Sequence, residues 1–235
     1  MILTELKNGV QTIILNNPAK MNCIGFEMLY GLQEAISAAA EDNAVSVVVI
    51  RGNGEKAFSS GANTKEFTAL EGKEVEKWIR LGNAIFNQLE QLPKPTVAYL
   101  QGYAMGGGLE MALACDFRLA HPSAILSSPE VSNGWLPGWG GMCRLRRLVG
   151  EANAKQIVLL SEKLDAKTAL EKGLITRICS SENAEQEVLQ FVYELNKLNP
   201  KTYALAKAAL MDSSRTTTGS DIDFDVLAVN LAQRD

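Results

Sequence analysis

The stretch Gln101 to Glu130 decides the fold, because it places a triple glycine, Gly106-Gly107-Gly108, between two regular elements. The apolar residues before the glycines are typical of a buried strand, and Leu109 to Ala114 is typical of a helix. Glycine lets the backbone turn sharply and approach a ligand closely. A helix that starts at such a loop directs unpaired N–H groups and a positive dipole end towards one spot. The stretch therefore predicts a cradle for a developing negative charge.

Two acidic residues accompany this loop. Glu110 lies on a helix that is apolar nearly all round, so we expect it to be buried. A buried carboxylate needs a partner and often has a raised pKa, which favours a functional role over a solvated one. Glu130 follows Pro129 at the end of a strand-like segment, where a surface carboxylate and a functional one are about equally expected.

A second loop supports the prediction of a ligand site. By itself the triple glycine is explained equally well by tight helix–strand packing. However, Phe58 to Asn63 forms another glycine-containing loop after a buried strand. Loops at the carboxyl ends of strands in an open sheet are where ligands tend to bind. Backbone N–H groups from two such loops can hold one carbonyl oxygen as it becomes an enolate or a tetrahedral oxyanion.

Composition limits the classes of function. The chain has 235 residues, of which 46% are hydrophobic, and 23 basic residues face 27 acidic ones for a net charge of −4. These values predict a globular protein of one main domain and give no support to a nucleic-acid partner. No apolar stretch is long enough to span a bilayer, and the start lacks the pattern of a signal peptide. The four scattered cysteines are typical of reduced thiols, so we expect a cytoplasmic protein without a metal site.

The order of elements predicts an α/β fold. Asn8-Gly9 between two alternating runs predicts a β-hairpin, and a valine-rich run, Ala44 to Ile50, predicts a strand buried on both faces. Strands and helices alternate through the first half, with a glycine- and serine-rich loop at Arg51 to Ala62. The remainder is mostly helical, with helices predicted over Met142 to Leu148 and Ala152 to Leu160 among others, and ends in a predicted helix, Ile222 to Ala232.

Other candidate residues favour structural interpretations. His121 is the only histidine and precedes a proline in a turn-like segment, so a surface position is expected and no catalytic triad is available. The cluster of Arg144, Arg146 and Arg147 is interpreted as complementing a helix dipole or contacting another subunit. Two tryptophans flank Pro137-Gly138 and either line a pocket or pack in the core: Trp135 and Trp139.

Five ordered segments of the chain together resemble the enoyl-CoA hydratase/isomerase (crotonase) family. They are Asn17-Pro-Ala-Lys-Met-Asn22, Phe58-Ser-Ser-Gly-Ala-Asn-Thr-Lys-Glu66, Lys94-Pro95 through Asp116, Pro129-Glu130 through Arg144-Leu145, and Asp165 to Leu174. The resemblance implies a crotonase-like spiral of ββα units over residues 1–180. It also implies a helical region for trimerisation over residues 181–235, in a homotrimer or homohexamer.

The resemblance also implies a site. The substrate would be an acyl thioester of coenzyme A, with no further cofactor and no metal. Its carbonyl oxygen would be held by the N–H groups of Ala62 and Gly107, and two glutamates would act on a water molecule, Glu130 as the principal acid/base and Glu110 as the second. The resemblance assigns three further residues to substrate binding: Lys65, Gly106 and Gly138. Lys65 would lie beside the coenzyme, and the backbone of Gly138 would lie by the water.

Several positions depart from the family pattern. Asn63 replaces the usual aspartate and Thr64 a usual aliphatic residue, while bulky residues stand where small or polar ones are common: Trp139, Met142 and Cys143. We expect these to reshape or shorten the acyl pocket. The chain ends at Asp235, before a further helix usual in the family. Alternatives to a hydratase are an isomerase that uses Glu130 to shuttle a proton, and a non-catalytic acyl-CoA-binding protein.

Overall fold

The computed structural model describes residues 1–211, which form two β-sheets with helices packed around them. The strands are β1 (Ile2–Lys7), β2 (Val10–Leu15), β3 (Val47–Gly52), β4 (Ala57–Ser59), β5 (Thr96–Leu100), β6 (Tyr103–Met105), β7 (Phe117–Ala120), β8 (Ile125–Ser127), β9 (Leu164–Asp165) and β10 (Arg177–Ile178). The helices are α1 (Phe26–Glu41), α2 (Thr64–Phe67), α3 (Lys73–Glu90), α4 (Gly107–Leu113), α5 (Gly141–Leu159), α6 (Ala166–Glu171), α7 (Ala184–Asn196) and α8 (Pro200–Met211). The helix predicted for 222–232 lies outside the described residues.

The first sheet contains six strands in the order β1-β2-β3-β5-β7-β10. All neighbours are parallel except β1 and β2, which form an antiparallel hairpin. Asn8 and Gly9 both adopt positive φ, 51° and 79°, as the favoured two-residue hairpin turn requires. The predicted hairpin is therefore confirmed.

The central strands of this sheet are buried on both faces. Because side chains alternate along a strand, Val48 and Ile50 enter the main core, whereas Val47 and Val49 face the other way. On that second face they join a smaller apolar cluster with residues of α7. The valine-rich run is thus a doubly covered strand, as predicted.

The second sheet is smaller and carries the two glycine-containing loops discussed above. Its order is β4-β6-β8-β9, with β4, β6 and β8 mutually parallel and β9 antiparallel. The prediction of an uninterrupted loop over Arg51 to Ala62 is wrong, because β4 lies within it. Strand β6 was also not predicted. Each of these strands has only three residues, too few to show an alternating pattern.

Two helices predicted in the second half form one element with a break. The backbone of α5 leaves helical geometry at Gly150, where φ is 75° and ψ is 167°. The break falls between the predicted segments Met142 to Leu148 and Ala152 to Leu160, so both predictions are confirmed. This helix packs beside α4, and the amide of its first residue, Gly141, donates to Glu110 of α4.

Candidate active site

Three neighbouring parallel strands supply the residues of the site. The loop after β4 carries Ala62, the loop after β6 carries Gly107 and leads into α4, and the turn after β8 carries Glu130. The carboxyl ends of parallel neighbours meet at one edge of a sheet, so these loops converge. They enclose a cavity of about 80 Å³ lined by Ala62, Phe67, Trp78, Ile79, Gly107, Glu110, Glu130, Trp135, Leu136, Gly138 and Trp139.

Two backbone amides lie close together at this cavity. A Cβ atom placed on Gly107 would be 3.5 Å from the backbone nitrogen of Ala62. Within residues 1–211, neither of these N–H groups donates a hydrogen bond. By contrast, the amide of Asn63 donates to the carbonyl of Ile24 (2.8 Å), and the amide of Ile24 donates to the carbonyl of Gly61 (2.8 Å). The loop is therefore fixed on both sides of Ala62, and its amide remains available to a ligand oxygen.

A buried polar pair fixes the loop after β4. The Nδ2 group of Asn22, which is fully buried, donates to the carbonyl oxygens of Asn53 (3.0 Å) and Ala57 (2.9 Å). The hydroxyl of Ser59 donates to the carbonyl of Asn22 (2.8 Å) and accepts from the amide of Gly61 (3.1 Å). Sequence reasoning missed these roles, although both residues belong to the quoted motif segments. These hydrogen bonds fix the position of the loop that carries Ala62.

Asn63, which departs from the family pattern, has a clear contact. Its Nδ2 group donates to Oε2 of Glu66 (3.1 Å), whose Oε1 accepts from the amide of Phe26 (3.1 Å) at the start of α1. An ionised aspartate at this position has no proton to donate to Glu66. The substitution therefore supplies the donor that links the loop to α1.

Glu110 is the buried acid of the site, with 4% of its surface exposed. Its Oε1 accepts hydrogen bonds from the amides of Trp139 (2.9 Å) and Gly141 (2.8 Å). Burial, reinforced by the charge of Glu130, raises the pKa of Glu110 to about 7 against the opposing effect of these amides and of Arg144. The prediction of a buried carboxylate with a raised pKa is confirmed.

Glu130 is half-buried and less tightly held. Its Oε2 accepts from the hydroxyl of Ser128 (2.8 Å), and its backbone carbonyl accepts from the amides of Asn133 (3.0 Å) and Trp135 (2.9 Å). Burial raises the pKa of Glu130, opposed by the Ser128 hydrogen bond. Its side chain passes over Gly106, where an added Cβ would lie 2.9 Å from Oε1. Gly106 thus makes room for the glutamate and does not itself line the cavity.

Arg144 is a positioning residue that sequence reasoning did not identify. It is 4% exposed, and its guanidinium donates to Glu90 (2.9 Å), Asn87 (2.6 Å) and the carbonyl of Trp139 (2.8 Å). It therefore ties α3 to the segment whose amides hold Glu110. The interpretation of Arg144 as a dipole complement or subunit contact is wrong, because its charge is buried and paired within the chain. Its side-chain partners, Glu90 and Asn87, lie over fifty positions away in sequence, so spacing gave no signal.

The remaining candidates divide between the cavity and the surface. Gly138 and both tryptophans, Trp135 and Trp139, line the cavity, whereas Lys65 is exposed on α2 and does not. His121 lies outside the cavity and pairs through Nδ1 with the hydroxyl of Ser123 (2.7 Å). Across residues 1–211, no cluster of three or more His, Cys, Asp or Glu side chains is arranged to hold a metal ion. No helix in the same part of the chain has the length and apolar character needed to cross a membrane.

Comparison with known proteins identifies the family of the chain. The family model described as enoyl-CoA hydratase/isomerase matches residues 5–232. The chain is 31% identical to a crotonyl-CoA hydratase of Syntrophomonas wolfei, covering 100% of this chain and 91% of the relative. It is 34% identical to a probable mitochondrial enoyl-CoA hydratase 2 of Arabidopsis thaliana, covering 95% of this chain and 74% of the relative. The crystal structure of an enoyl-CoA hydratase from Bacillus anthracis superposes with a TM-score of 0.93 at 30% identity, covering 100% and 92% of the two chains.

Proposed function

Because the chain belongs to the enoyl-CoA hydratase/isomerase family, an enzyme family whose fold it shares, we propose that it adds water across the C2=C3 bond of a 2-enoyl-CoA thioester. One observation carries the proposal: Ala62, Gly107, Glu110 and Glu130 line the same small cavity. Two donors and two acids are the groups that addition of water to a polarised alkene requires.

The amides of Ala62 and Gly107 act on the thioester. Water adds at C3 when electron density can move through C2 onto the thioester oxygen, which becomes an enolate. The two N–H groups donate to that oxygen and stabilise its charge. In other enzymes, loss of one such donor costs about 3–4 kcal/mol of transition-state stabilisation. The hydrogen bonds around Ile24 and Asn63 support this role, because they hold the loop without using the amide between them.

The two glutamates divide the handling of protons. Glu110, held through Oε1, accepts a proton from the attacking water, whose oxygen bonds to C3. Glu130, the principal acid/base, delivers a proton to C2, and exchange of protons with solvent returns the pair to its starting state. Burial raises the pKa of both acids, and the value of about 7 for Glu110 supports a role in proton transfer, because a group that titrates close to neutral pH transfers protons in both directions efficiently.

The coenzyme is part of the substrate in this proposal. The reaction needs no redox group, and the four catalytic groups account for each bond made and broken without a metal or further cofactor. Lys65 is exposed on α2 near the loop of Ala62, where a cation is able to reach the phosphates of a bound coenzyme. We include in the proposal the assembly into homotrimers or homohexamers through residues 181–235.

Hydration of crotonyl-CoA, followed by loss of the ultraviolet absorbance of its conjugated thioester, tests the proposal. We expect turnover by the wild type and strong loss in Glu110→Gln. An isomerase would instead convert a 3-enoyl-CoA and tolerate Glu110→Gln, because Glu130 alone can move a proton between C2 and C4. Binding of acyl-CoA without turnover of any thioester would indicate a non-catalytic protein and would overturn the proposal.

A further inference from the structure

The indole of Trp139 fills the space between two helices at the base of the cavity. A Cβ atom on Gly107 would lie 2.4 Å from Cζ3 of the ring, and one on Gly82 of α3 would lie 2.2 Å from Nε1. Both positions therefore have to be glycine for the ring to fit. The indole therefore spans from Gly107 at the start of α4 to the middle of α3, and Trp139 lines the cavity between them.

The ring is held firmly in this position. It is 2% exposed and contacts Trp78 and Phe86, with ring centroids 5.2 Å and 5.5 Å away. Its backbone is fixed as well, because its N–H donates to Glu110 (2.9 Å) and its carbonyl accepts from Arg144 (2.8 Å). A side chain caged by aromatic rings on a fixed backbone does not swing aside to admit a longer ligand.

Two unfavourable local choices accompany the ring. Within residues 1–211, the buried Nε1–H group of Trp139 finds no acceptor, although a buried indole usually has one. Gly82 stands inside an eighteen-residue helix, where glycine is less favourable than alanine. A core chosen for packing alone would avoid both features. Sequence choices that are locally unfavourable for folding are expected at functional sites.

The cavity that remains is small. Its volume is about 80 Å³, compared with roughly 300–1,000 Å³ for pockets that take drug-sized ligands. The side chains around it are largely apolar and include Phe67, Trp78 and Leu136. Within residues 1–211, a cavity of this size has room for a short hydrocarbon chain.

We propose that the indole of Trp139, admitted by Gly82, forms the floor of the acyl site and limits the substrate to short-chain 2-enoyl thioesters of about four carbons. The proposal rests on the function proposed above, because it assumes that the thioester oxygen binds at Ala62 and Gly107. Trp139 is then a specificity-determining residue through its side chain and a positioning residue through its backbone.

The test compares two substrates and three variants of the full chain. We expect wild-type kcat/KM for crotonyl-CoA to exceed that for trans-2-octenoyl-CoA by about 100-fold or more, since one misplaced methylene alone changes such a ratio by about 10- to 200-fold. In Trp139→Leu the ratio should fall by about tenfold or more through a gain with the longer substrate, and in Trp139→Phe it should fall less. Phe191→Leu, an aromatic-to-leucine change against Phe117 outside the cavity, should leave the ratio unchanged.

Calorimetry separates this inference from the proposed function. Butyryl-CoA should bind the wild type more tightly than octanoyl-CoA, and Trp139→Leu should remove most of that difference whether or not any thioester is hydrated. Equal hydration of both enoyl substrates by the wild type would overturn the inference and leave the hydratase function standing. An unchanged substrate ratio and an unchanged binding difference in both Trp139 variants would also overturn it.

Discussion

Two carboxylates at opposite ends of one short helix have opposite surroundings. Glu110 lies inside α4 and, within residues 1–211, accepts two backbone hydrogen bonds, both at Oε1. Asp116 lies just beyond the end of α4, where its Oδ2 accepts from the amide (2.9 Å) and hydroxyl (3.0 Å) of Thr96, the hydroxyl of Tyr203 (3.1 Å) and the ammonium of Lys207 (2.9 Å). In the described part of the chain, Glu110 has no cation in direct contact, whereas Asp116 is paired with a buried lysine.

The contrast indicates different roles: Asp116 stabilises the fold, whereas Glu110 is suited to proton transfer. Asp116 joins β5, the end of α4 and α8, and burial together with this carboxylate raises the pKa of Tyr203. Lys207 is 8% exposed, and its ammonium forms an ion pair with Asp116. Glu110 instead combines burial with a pKa near neutrality. A buried acid without a paired cation destabilises the fold in its charged form, and a pKa near neutrality lets it accept a proton from water and release it again.

The largest expected effect is on turnover by Glu110→Gln. Because the amide cannot accept a proton from water, we expect kcat to fall by about a hundred- to ten-thousand-fold. The folded state should remain, since the side chain keeps its size and its carbonyl oxygen can still accept from the Trp139 and Gly141 amides. Steady-state hydration of crotonyl-CoA measures the loss. Glu34→Gln on the exposed face of α1 is the matched control, and equal activity of both variants would contradict the role of Glu110.

Asp116→Asn should show the reverse pattern. Neutralising this acid leaves Lys207 buried without its counter-charge, so we expect the free energy of unfolding to fall by about 3–5 kcal/mol. Because Asp116 does not line the cavity, kcat at a temperature where the variant is folded should stay within about twofold of wild type.

Urea denaturation and hydration assays on the same preparation check the Asp116 prediction. Lys201→Met, an exposed lysine on α8, is a control for charge removal from that helix. A large loss of kcat in folded Asp116→Asn would mean that the two carboxylates do not have separate roles.

A smaller effect is expected in the pH dependence of stability. Burial raises the pKa of Glu110 from 4.5 to about 7 in the folded protein, so stability from its bound proton is fully present below about pH 4.5. That stability is lost as the pH rises through about 7. The wild type should therefore lose about 3 kcal/mol relative to Glu110→Gln between about pH 4.5 and pH 8.

Denaturation of both proteins across this pH range measures the difference. The Glu34→Gln control should parallel the wild type at every pH. If the gap between wild type and Glu110→Gln were constant, the carboxylate would titrate normally in the folded protein, and the contrast with Asp116 would disappear.

Much of the framework could be predicted because it depends on local pattern. The hairpin at Asn8-Gly9, the doubly buried β3 and the helix after the triple glycine each follow from a period or a turn signal within a short window. Burial of Glu110 followed from its apolar neighbours on α4. The fold match at a TM-score of 0.93 confirms the expected crotonase-like α/β architecture.

The missed features depend on residues that are distant in the chain. Arg144 meets Glu90 and Asn87 across two helices, and no spacing in the sequence encodes that pairing. The sequence identified Trp139 as unusual but left its position open between pocket and core. The position of the indole depends on Gly82, because a side chain there would clash with the ring. A single glycine within a helical pattern does not show in the sequence which residue packs against it.

Isotope incorporation from water tests the central claim most directly. The protein would be incubated with crotonyl-CoA in water enriched in oxygen-18 and deuterium, and the product thioester analysed by mass spectrometry. If Glu110 and Glu130 handle one water molecule at the alkene, each product molecule should gain one oxygen-18 at C3 and one deuterium at C2. Deuterium in the recovered thioester without oxygen-18, or no labelled product from a protein that binds the thioester, would contradict the account.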